Sequence, residues 1–322
     1  SDQQEIWKEF FMMIIEIDKL VKRYGDFVAL NHFDLQVQEG EVLGLLGPNG
    51  SGKSTAINCM LSLLNYDKGT IKLFGTTMTP ENYAVKAMIG VVPQDVAVFD
   101  ELSVQENIDY FCGLYVSEKE KRKALIEEVI QLVGLEKYVS FRPGELSGGL
   151  KRRLNIACGI AHKPRLIFLD EPTVAVDPQS RNKILESIKE LNRQGATIVY
   201  TTHYMEEVEI LCDQIVIMDQ GQVIAKGTKE SLKDMVRTAD RLTIDIPLLP
   251  ENVLSAIQRT IASDGIAYKK GQLQVTTTEL NTVLLPILTI LQEEKISYGK
   301  IATKEASLND VFLEITGKDL RD

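Results

Sequence analysis

The segment GPNGSGKST at 47–55 sets glycines and small polar residues around one lysine, a combination suited to holding phosphate. Glycine allows backbone conformations and close approaches that other side chains block. Successive N–H groups can then converge on phosphate oxygens where a helix begins. On this reading Gly47, Pro48, Asn49, Gly50, Ser51, Gly52 and Thr55 form the cradle. Lys53 reaches the β- and γ-phosphates, and the Ser54 hydroxyl binds Mg²⁺. The pattern G-x4-G-K-[S/T] arises by chance in such a chain on the order of 1 time in 100. Here it also follows an apolar run and opens a helical pattern, which an ordinary glycine-rich turn would not require. The loop alone leaves kinases, GTPases, motors and transport ATPases open.

Two further groupings could do chemistry beside such a loop. In RLIFLDEP, Asp170 and Glu171 close an apolar run, and ligands of parallel α/β sheets bind at the carboxyl ends of strands. Adjacent carboxylates there can divide the work, with Asp170 ordering the Mg²⁺ shell and Glu171 positioning or polarising an attacking water. Alone, an Asp-Glu pair after a strand is more often a solvated turn; a phosphate loop in the same chain reverses that balance. LSGGL at 146–150 reads as a helix start with Ser147 as N-cap, and a capped, glycine-flanked helix start is also an anion site.

The elements that must position these residues read as α/β from Met13 to about residue 228. EVLGLLG (41–47), MIGVVPQ (88–94), LIFLDEP (166–172), TIVYTTH (197–203) and IVIM (215–218) suit buried parallel strands. Ile57, Met60, Leu61 and Leu64 share a helical face after Lys53, as do Leu150, Leu154, Ala157, Cys158 and Ala161 after Ser147. Residues 100–135 are polar and helical, and a helical lobe is expected over about 95–160. MDQGQVIAKG (218–227) reads as a closing hairpin. From 229 to 322 the texture changes to a small accessory α+β domain. Its strand, helix, two strands, helix, strand, helix order resembles a ferredoxin-like unit, with KISYGKIAT (295–303) as its last strand. Residues 1–12 fall outside the pattern and are set aside as a leader.

Bulk properties narrow the partners. The 322 residues include 44% hydrophobic and 25% charged side chains, ample for a core. A formal charge of −10 argues against nucleic acid held by phosphate neutralisation. Cys59, Cys112, Cys158 and Cys212 are widely spaced, with no CxxC, and read as buried thiols in a reducing cytosol. No apolar run approaches the ~20 residues needed to cross a bilayer, so any work at a membrane needs another chain to cross it.

The order GPNGSGKST, VVPQD, LSGGL, LIFLDEP, VAVDP and TTH resembles the ATP-binding cassette (ABC) ATPases over roughly residues 14–228. The fold this implies is a P-loop NTPase cassette with N-terminal antiparallel strands, a mixed sheet and a helical lobe. The resemblance implies that Tyr24 stacks on adenine and that Gln94 touches Mg²⁺ and water and senses a membrane partner. It implies that Ser147, Gly148 and Gly149 form the signature presented in trans to the γ-phosphate, that Asp177 lies in the dimer-spanning loop, and that His203 contacts the γ-phosphate beside the catalytic Glu171. His32 and His162 lack such a context and read as surface or packing residues. Two positions depart from the common pattern. Leu150 stands where Gln is usual, and TVAVDP replaces T-x-G-L-D-P; both are expected to touch dimer contacts and turnover.

SGGLKRRLNIACGI, DEPTVAVDPQSR and the terminal SLNDVFLEITGKDLRD are similar to ATPase subunits of type-2 ABC exporters, which serve drug, natural-product or polysaccharide efflux. That similarity implies ATP and Mg²⁺ as ligands and a head-to-tail pairing with a second copy or a homologous cassette. It further implies a separate integral membrane permease and a peripheral location on the cytoplasmic face of the membrane. Segment 94–111 is the expected docking surface, with Val96, Val98, Phe99 and Leu102 lining it. Two other readings stand beside this one: a soluble ABC-type ATPase with a remodelling or regulatory role, and a nucleotide-gated binding module with negligible hydrolysis.

Overall fold

A computed structural model describes residues 13–236, 240–261, 265–277, 280–304 and 307–317; the expectation for residues 1–12 lies outside them. The described residues fall into two compact units, one reaching Lys229 and one spanning Glu230–Gly317.

The first unit opens with β1 (Met13–Tyr24) and β2 (Phe27–Gln38), a hairpin whose turn sets Tyr24 opposite Phe27. Then follow β3 (Val42–Leu46), α1 (Lys53–Met60), β4 (Lys68–Leu73), β5 (Thr76–Thr77), α2 (Tyr83–Lys86) and β6 (Ile89–Val92). The helical lobe contributes α3 (Val104–Gly113), α4 (Lys119–Val133) and α5 (Gly148–Ile160). The chain returns through β7 (Leu166–Asp170), α6 (Pro178–Arg193), β8 (Thr197–Thr201) and α7 (Met205–Leu211) to the hairpin β9 (Gln214–Asp219) and β10 (Gln222–Gly227). Strands β2-β1-β4-β5 form an antiparallel sheet. The second sheet runs β10-β9-β3-β8-β7-β6, parallel except for the β10 edge.

The parallel strands are apolar throughout because both faces are covered. Leu166 and Phe168 of β7 pack toward the antiparallel sheet and α1, while Ile167 and Leu169 pack toward α3–α6. Val199 of β8 faces the first side, and Ile198 and Tyr200 the second. Such strands read as continuous hydrophobic runs rather than alternating ones. Four of the five expected runs stop short at their carboxyl ends, β3 at Leu46, β6 at Val92, β7 at Asp170 and β8 at Thr201, while β9 extends one residue beyond its expected run at each end. The residues left over form the loops at the carboxyl edge.

Local signals set the helix ends. Ser103 and Glu106 form a reciprocal capping box at α3. Gly134 closes α4 in the left-handed region at φ 69°. Helix α5 lies backbone to backbone on β6, because a Cβ on Gly159 would meet the Val91 carbonyl oxygen at 2.7 Å. This contact seats the Ser147 end of α5 relative to the strand that leads to Gln94.

The second unit holds α8 (Lys229–Val236), β11 (Asp240–Asp245), α9 (Glu251–Thr260), β12 (Gly265–Lys269), β13 (Gln272–Thr277), α10 (Leu280–Glu293), β14 (Ile301–Lys304) and α11 (Leu308–Thr316). Its sheet runs β12-β13-β11-β14, all antiparallel. The β-α-β-β-α-β order from β11 to β14 is the ferredoxin-like one. Leu242, Ile244, Leu273 and Val275 pack with Val253 and Ile257 of α9 and with Val283 and Ile287 of α10. The last strand is shorter than the expected 295–303. Lys295 takes φ 53° and the Gly299 N–H bonds the Asp245 carbonyl, so pairing in β14 starts only at Ile301.

Gly159→Ala is expected to lower stability by about 1–3 kcal/mol, the usual range for overpacking. Gly113→Ala is expected to be neutral or stabilising by about 0.4–1 kcal/mol, since its Cβ would meet nothing nearer than 3.7 Å. Thermal or urea unfolding of the two variants checks the contrast.

Candidate active site

The phosphate loop joins β3 to α1 at the carboxyl edge of the parallel sheet. Gly52 precedes α1 at φ 106°, and a Cβ there would meet the Ala29 carbonyl oxygen at 2.7 Å, so only glycine fits. No side chain caps α1 and no acidic residue occupies its first turn. The positive end of the helix is therefore left to whatever anion the loop holds. The Lys53 ammonium donates to the carbonyls of Gly47 at 2.7 Å and Pro48 at 3.2 Å. Burial pushes its pKa down from the usual lysine range, while the carboxylates of Glu171 and Asp170 pull it back up. Ser51 is buried, whereas Asn49, Gly50 and Ser54 are exposed and Gly47 and Pro48 line the inner side. Thr55 is half-buried on the first turn.

Because β7 and β8 are parallel neighbours with Asp170 paired to Thr201, the two strand ends meet beside that loop. The Thr201 hydroxyl donates to Asp170 Oδ1 and accepts from the Glu171 N–H at 3.0 Å. The same N–H also donates to the Thr201 carbonyl at 3.1 Å. Glu171 is thereby held at φ 45°, a region that residues other than glycine seldom adopt. Its Oε2 lies 3.4 Å from His203 Nδ1, and both side chains are partly buried. Lys53, Asp170, Glu171 and His203 thus gather at one edge of the sheet.

The remaining predicted residues lie apart from that cluster. Ser147 caps α5, its hydroxyl accepting from the Leu150 N–H at 3.3 Å; Ser147 and Gly148 are exposed. Gly149 is buried where α5 meets α6, because a Cβ on it would lie 2.2 Å from Ser180 Oγ and 2.7 Å from Asp177 Oδ2. Asp177 caps α6 by accepting from the Ser180 N–H at 2.9 Å, which holds its carboxyl below the usual range. Ala175, where the common pattern has glycine, sits at φ 57°. Among the described residues, no hydrogen bond joins 147–149 to 47–55. Gln94 is exposed just past β6, its carbonyl accepting from Arg152. Tyr24 is exposed at the end of β1, with the Lys22 ammonium 5.0 Å from its ring centre.

The other histidines carry no such geometry. His32 is exposed, and His162 stacks on Tyr115 with its Nε2 3.1 Å from the Ile89 carbonyl. Cys59, Cys112 and Cys158 are buried and Cys212 is half-buried, all free thiols.

Two residues escaped the sequence reading. Thr201 ties Asp170 to Glu171, yet in TIVYTTH it is one threonine of two beside a histidine. Glu207 is a buried carboxylate on α7 (2% exposed); in MEEVEIL it looks like one acid among three on a surface helix. The only sequence signal for Thr201 was a polar residue ending an apolar strand.

Known proteins resemble this chain over most of its length. The family described as ABC transporter matches residues 30–174. The linearmycin resistance ATP-binding protein LnrL of Bacillus subtilis is 36% identical over 311 residues, 96% of this chain and 100% of that protein. The Nod factor export ATP-binding protein I of Burkholderia orbicola is 33% identical over 310 residues, covering 96% and 98%. A solved dimeric ATP-binding cassette in a post-hydrolysis state with ADP and Pi superposes with a TM-score of 0.61 at 26% identity, over 66% of this chain and 98% of that one. A loop built for phosphate, two strand-end carboxylates and near full-length relatives converge: the chain belongs to the ABC transporter family, as an ATP-hydrolysing ATP-binding subunit of the branch that includes antibiotic-resistance and Nod factor export ATPases.

Proposed function

We propose that two copies of this chain, or one copy and a homologous cassette, clamp two MgATP molecules head to tail and drive a separate membrane permease that exports its substrate. The observation that carries the reading is the gathering of Lys53, Asp170, Glu171 and His203 at one sheet edge, with Glu171 Oε2 3.4 Å from His203 Nδ1. Lys53 and the N–H groups at 47–55 bind the β- and γ-phosphates. Glu171 orients the attacking water and takes its proton, and His203 steadies the γ-phosphate beside it. Tyr24 packs on the adenine. Ser147, Gly148 and Gly149 meet the γ-phosphate of the opposite copy, and Asp177 lies in the loop between the two sites. The exposure of Ser147, Gly148 and Asp177 at helix starts, with no hydrogen bond among the described residues from 147–149 to the phosphate loop, favours this role in trans.

The donor set suits Mg²⁺. Ser54 and Asp170 offer hard oxygens, and Gln94 offers an amide oxygen. An ion of this kind is held mostly by phosphates and water, with one or two protein oxygens. When bound, the ion neutralises charge developing on the phosphates.

Among the described residues no helix is long and apolar enough to cross a membrane; the relatives named as ATP-binding proteins of resistance and export are the support for a peripheral subunit on the cytoplasmic face. The docking surface differs in part from the sequence expectation. Val96 and Phe99 are exposed, whereas Val98 packs against the core and Leu102 is half-buried. Tyr110 joins Phe99 instead, their rings 4.9 Å apart edge to face. This apolar patch beside Gln94 is where we place the permease contact.

Glu171→Gln is expected to cut phosphate release at least about 100-fold while MgATP binding persists and the dimer is trapped; hydrolysis at the wild-type rate would sink the assignment. Lys53→Ala should weaken nucleotide binding itself, read by fluorescent-nucleotide titration. Tagged Glu171→Gln protein with MgATP should recover a multi-spanning membrane protein from solubilised membranes. Phe99→Ala should lose permease-stimulated ATPase and keep basal turnover; intact stimulation would remove the patch from the interface. Ala175→Gly should raise stability by about 0.5–1 kcal/mol, the left-handed strain relieved less the entropy of glycine, as measured by denaturant unfolding.

A further inference from the structure

We infer that Glu207, which touches neither nucleotide loop nor reacting group, is the positioning residue that holds the loop carrying Glu171 in register with His203. The inference rests on the reading of Glu171 and His203 as the hydrolytic pair. Glu207 is 2% exposed, and its Oε2 accepts from three hydroxyls: Thr173 at 2.9 Å, Tyr200 at 2.7 Å and Thr202 at 2.9 Å. Its Oε1 lies 2.9 Å from Arg181 Nε, an ion pair whose angle falls outside that of a hydrogen bond.

What matters is where these partners come from. Thr173 sits two residues past Glu171, in the loop that leads to α6. Thr202 immediately precedes His203. Its hydroxyl also accepts from the Tyr204 N–H at 3.0 Å, on the other side of that histidine. Arg181 reaches over the Tyr204 ring at 4.0 Å, and that ring lies 4.2 Å from the imidazole of His203. One carboxylate therefore binds the chain just after Glu171 and just before His203, and reaches the far side of His203 through the Thr202 hydroxyl and Arg181.

Stability alone does not account for a charge here. Burying a carboxylate is costly even when it is paired, and well-packed apolar groups often replace buried ion pairs without loss. Glu171, by contrast, needs holding. It occupies φ 45°, its N–H is anchored to Thr201, and beyond it the backbone makes a 3.3 Å turn bond from the Val174 N–H to the Glu171 carbonyl. The Thr173 hydroxyl, 1% exposed, is the side-chain anchor that ties this turn to the rest of the fold. The Glu207 cluster supplies the second fixed point of a strained segment, an arrangement that persists only when its surroundings over-determine it.

The test compares single variants of the full chain, because removing Glu207 outright leaves Arg181 unpaired and risks misfolding. Thr173→Val removes only the tether to the catalytic loop. Tyr200→Phe removes an equivalent hydrogen bond from the same oxygen but on the sheet side. Measured values are kcat and KM for ATP and the thermal midpoint. The expected result is a kcat at least tenfold lower for Thr173→Val with KM within twofold, a kcat within twofold of wild type for Tyr200→Phe, and similar thermal midpoints for both. Thr173→Ser should restore kcat. Equal kcat losses in the two variants, or a wild-type kcat in Thr173→Val, would overturn the inference. Glu171→Gln measured in parallel separates the failures. If it hydrolyses at the wild-type rate, the hydrolytic reading itself fails. If it is inactive while Thr173→Val is normal, only the role of Glu207 is lost.

Discussion

A half-buried lysine ammonium facing two carboxylates across the carboxyl edge of a parallel sheet sets the terms for the rest of the molecule. Desolvation disfavours the charge on Lys53 and keeps its pKa below the usual lysine range, and the carboxylates of Glu171 and Asp170 offset part of that cost. Such a charge persists only where opposite charge and hydrogen-bond acceptors are placed before any ligand arrives. The loop carbonyls of Gly47 and Pro48 hold the ammonium from one side, and the end of β7 presents the acids from the other. Phosphate placed between them meets a cation, backbone N–H groups and an uncapped helix start together.

Holding the acids in that position costs backbone strain. Glu171 at φ 45° and Ala175 at φ 57° lie four residues apart in one short loop. Strain of this kind clusters where geometry matters more than stability. The compensation comes from β8 and α7: Thr201 fixes the start of the loop, and the buried Glu207 cluster holds Thr173 just beyond it. Further on, Asp177 caps α6 and Gly149 packs against the same turn. The hydrolytic loop and the signature helix thus share a boundary within one copy, so a change at one is felt at the other through packed backbone rather than a flexible linker.

A similar tight contact links the signature helix to the region beside Gln94. Arg152 and Asn155 of α5 donate to carbonyls in the segment 93–95, and Asn155 accepts from the Ala97 N–H. With Gly159 seated on Val91, the helix that starts at Ser147 packs directly on the strand that leads to Gln94 and the Phe99 patch.

The sequence by itself determined whatever depends on neighbours along the chain. The phosphate loop, the Ser147 and Asp177 caps and the apolar runs of β3, β7 and β8 are local demands on backbone conformation, and the residue types state them directly. The runs of β3, β6, β7 and β8 overshot by one or two residues because pairing stops where the chain turns into the site loops, at Gly47, Pro93, Glu171 and Thr202. Tertiary structure alone decided the pairings between distant segments. Thr201 meets Asp170 because β7 and β8 are parallel neighbours in that register, and Glu207 meets Thr173 because α7 packs over the loop after β7. Val98 turned inward, and Tyr110 joined Phe99, for the same kind of reason. A hydroxyl or carboxylate on a polar stretch carries no local mark of its partner; only the stacking of strands and helices brings the two within 3 Å and makes their desolvation worthwhile.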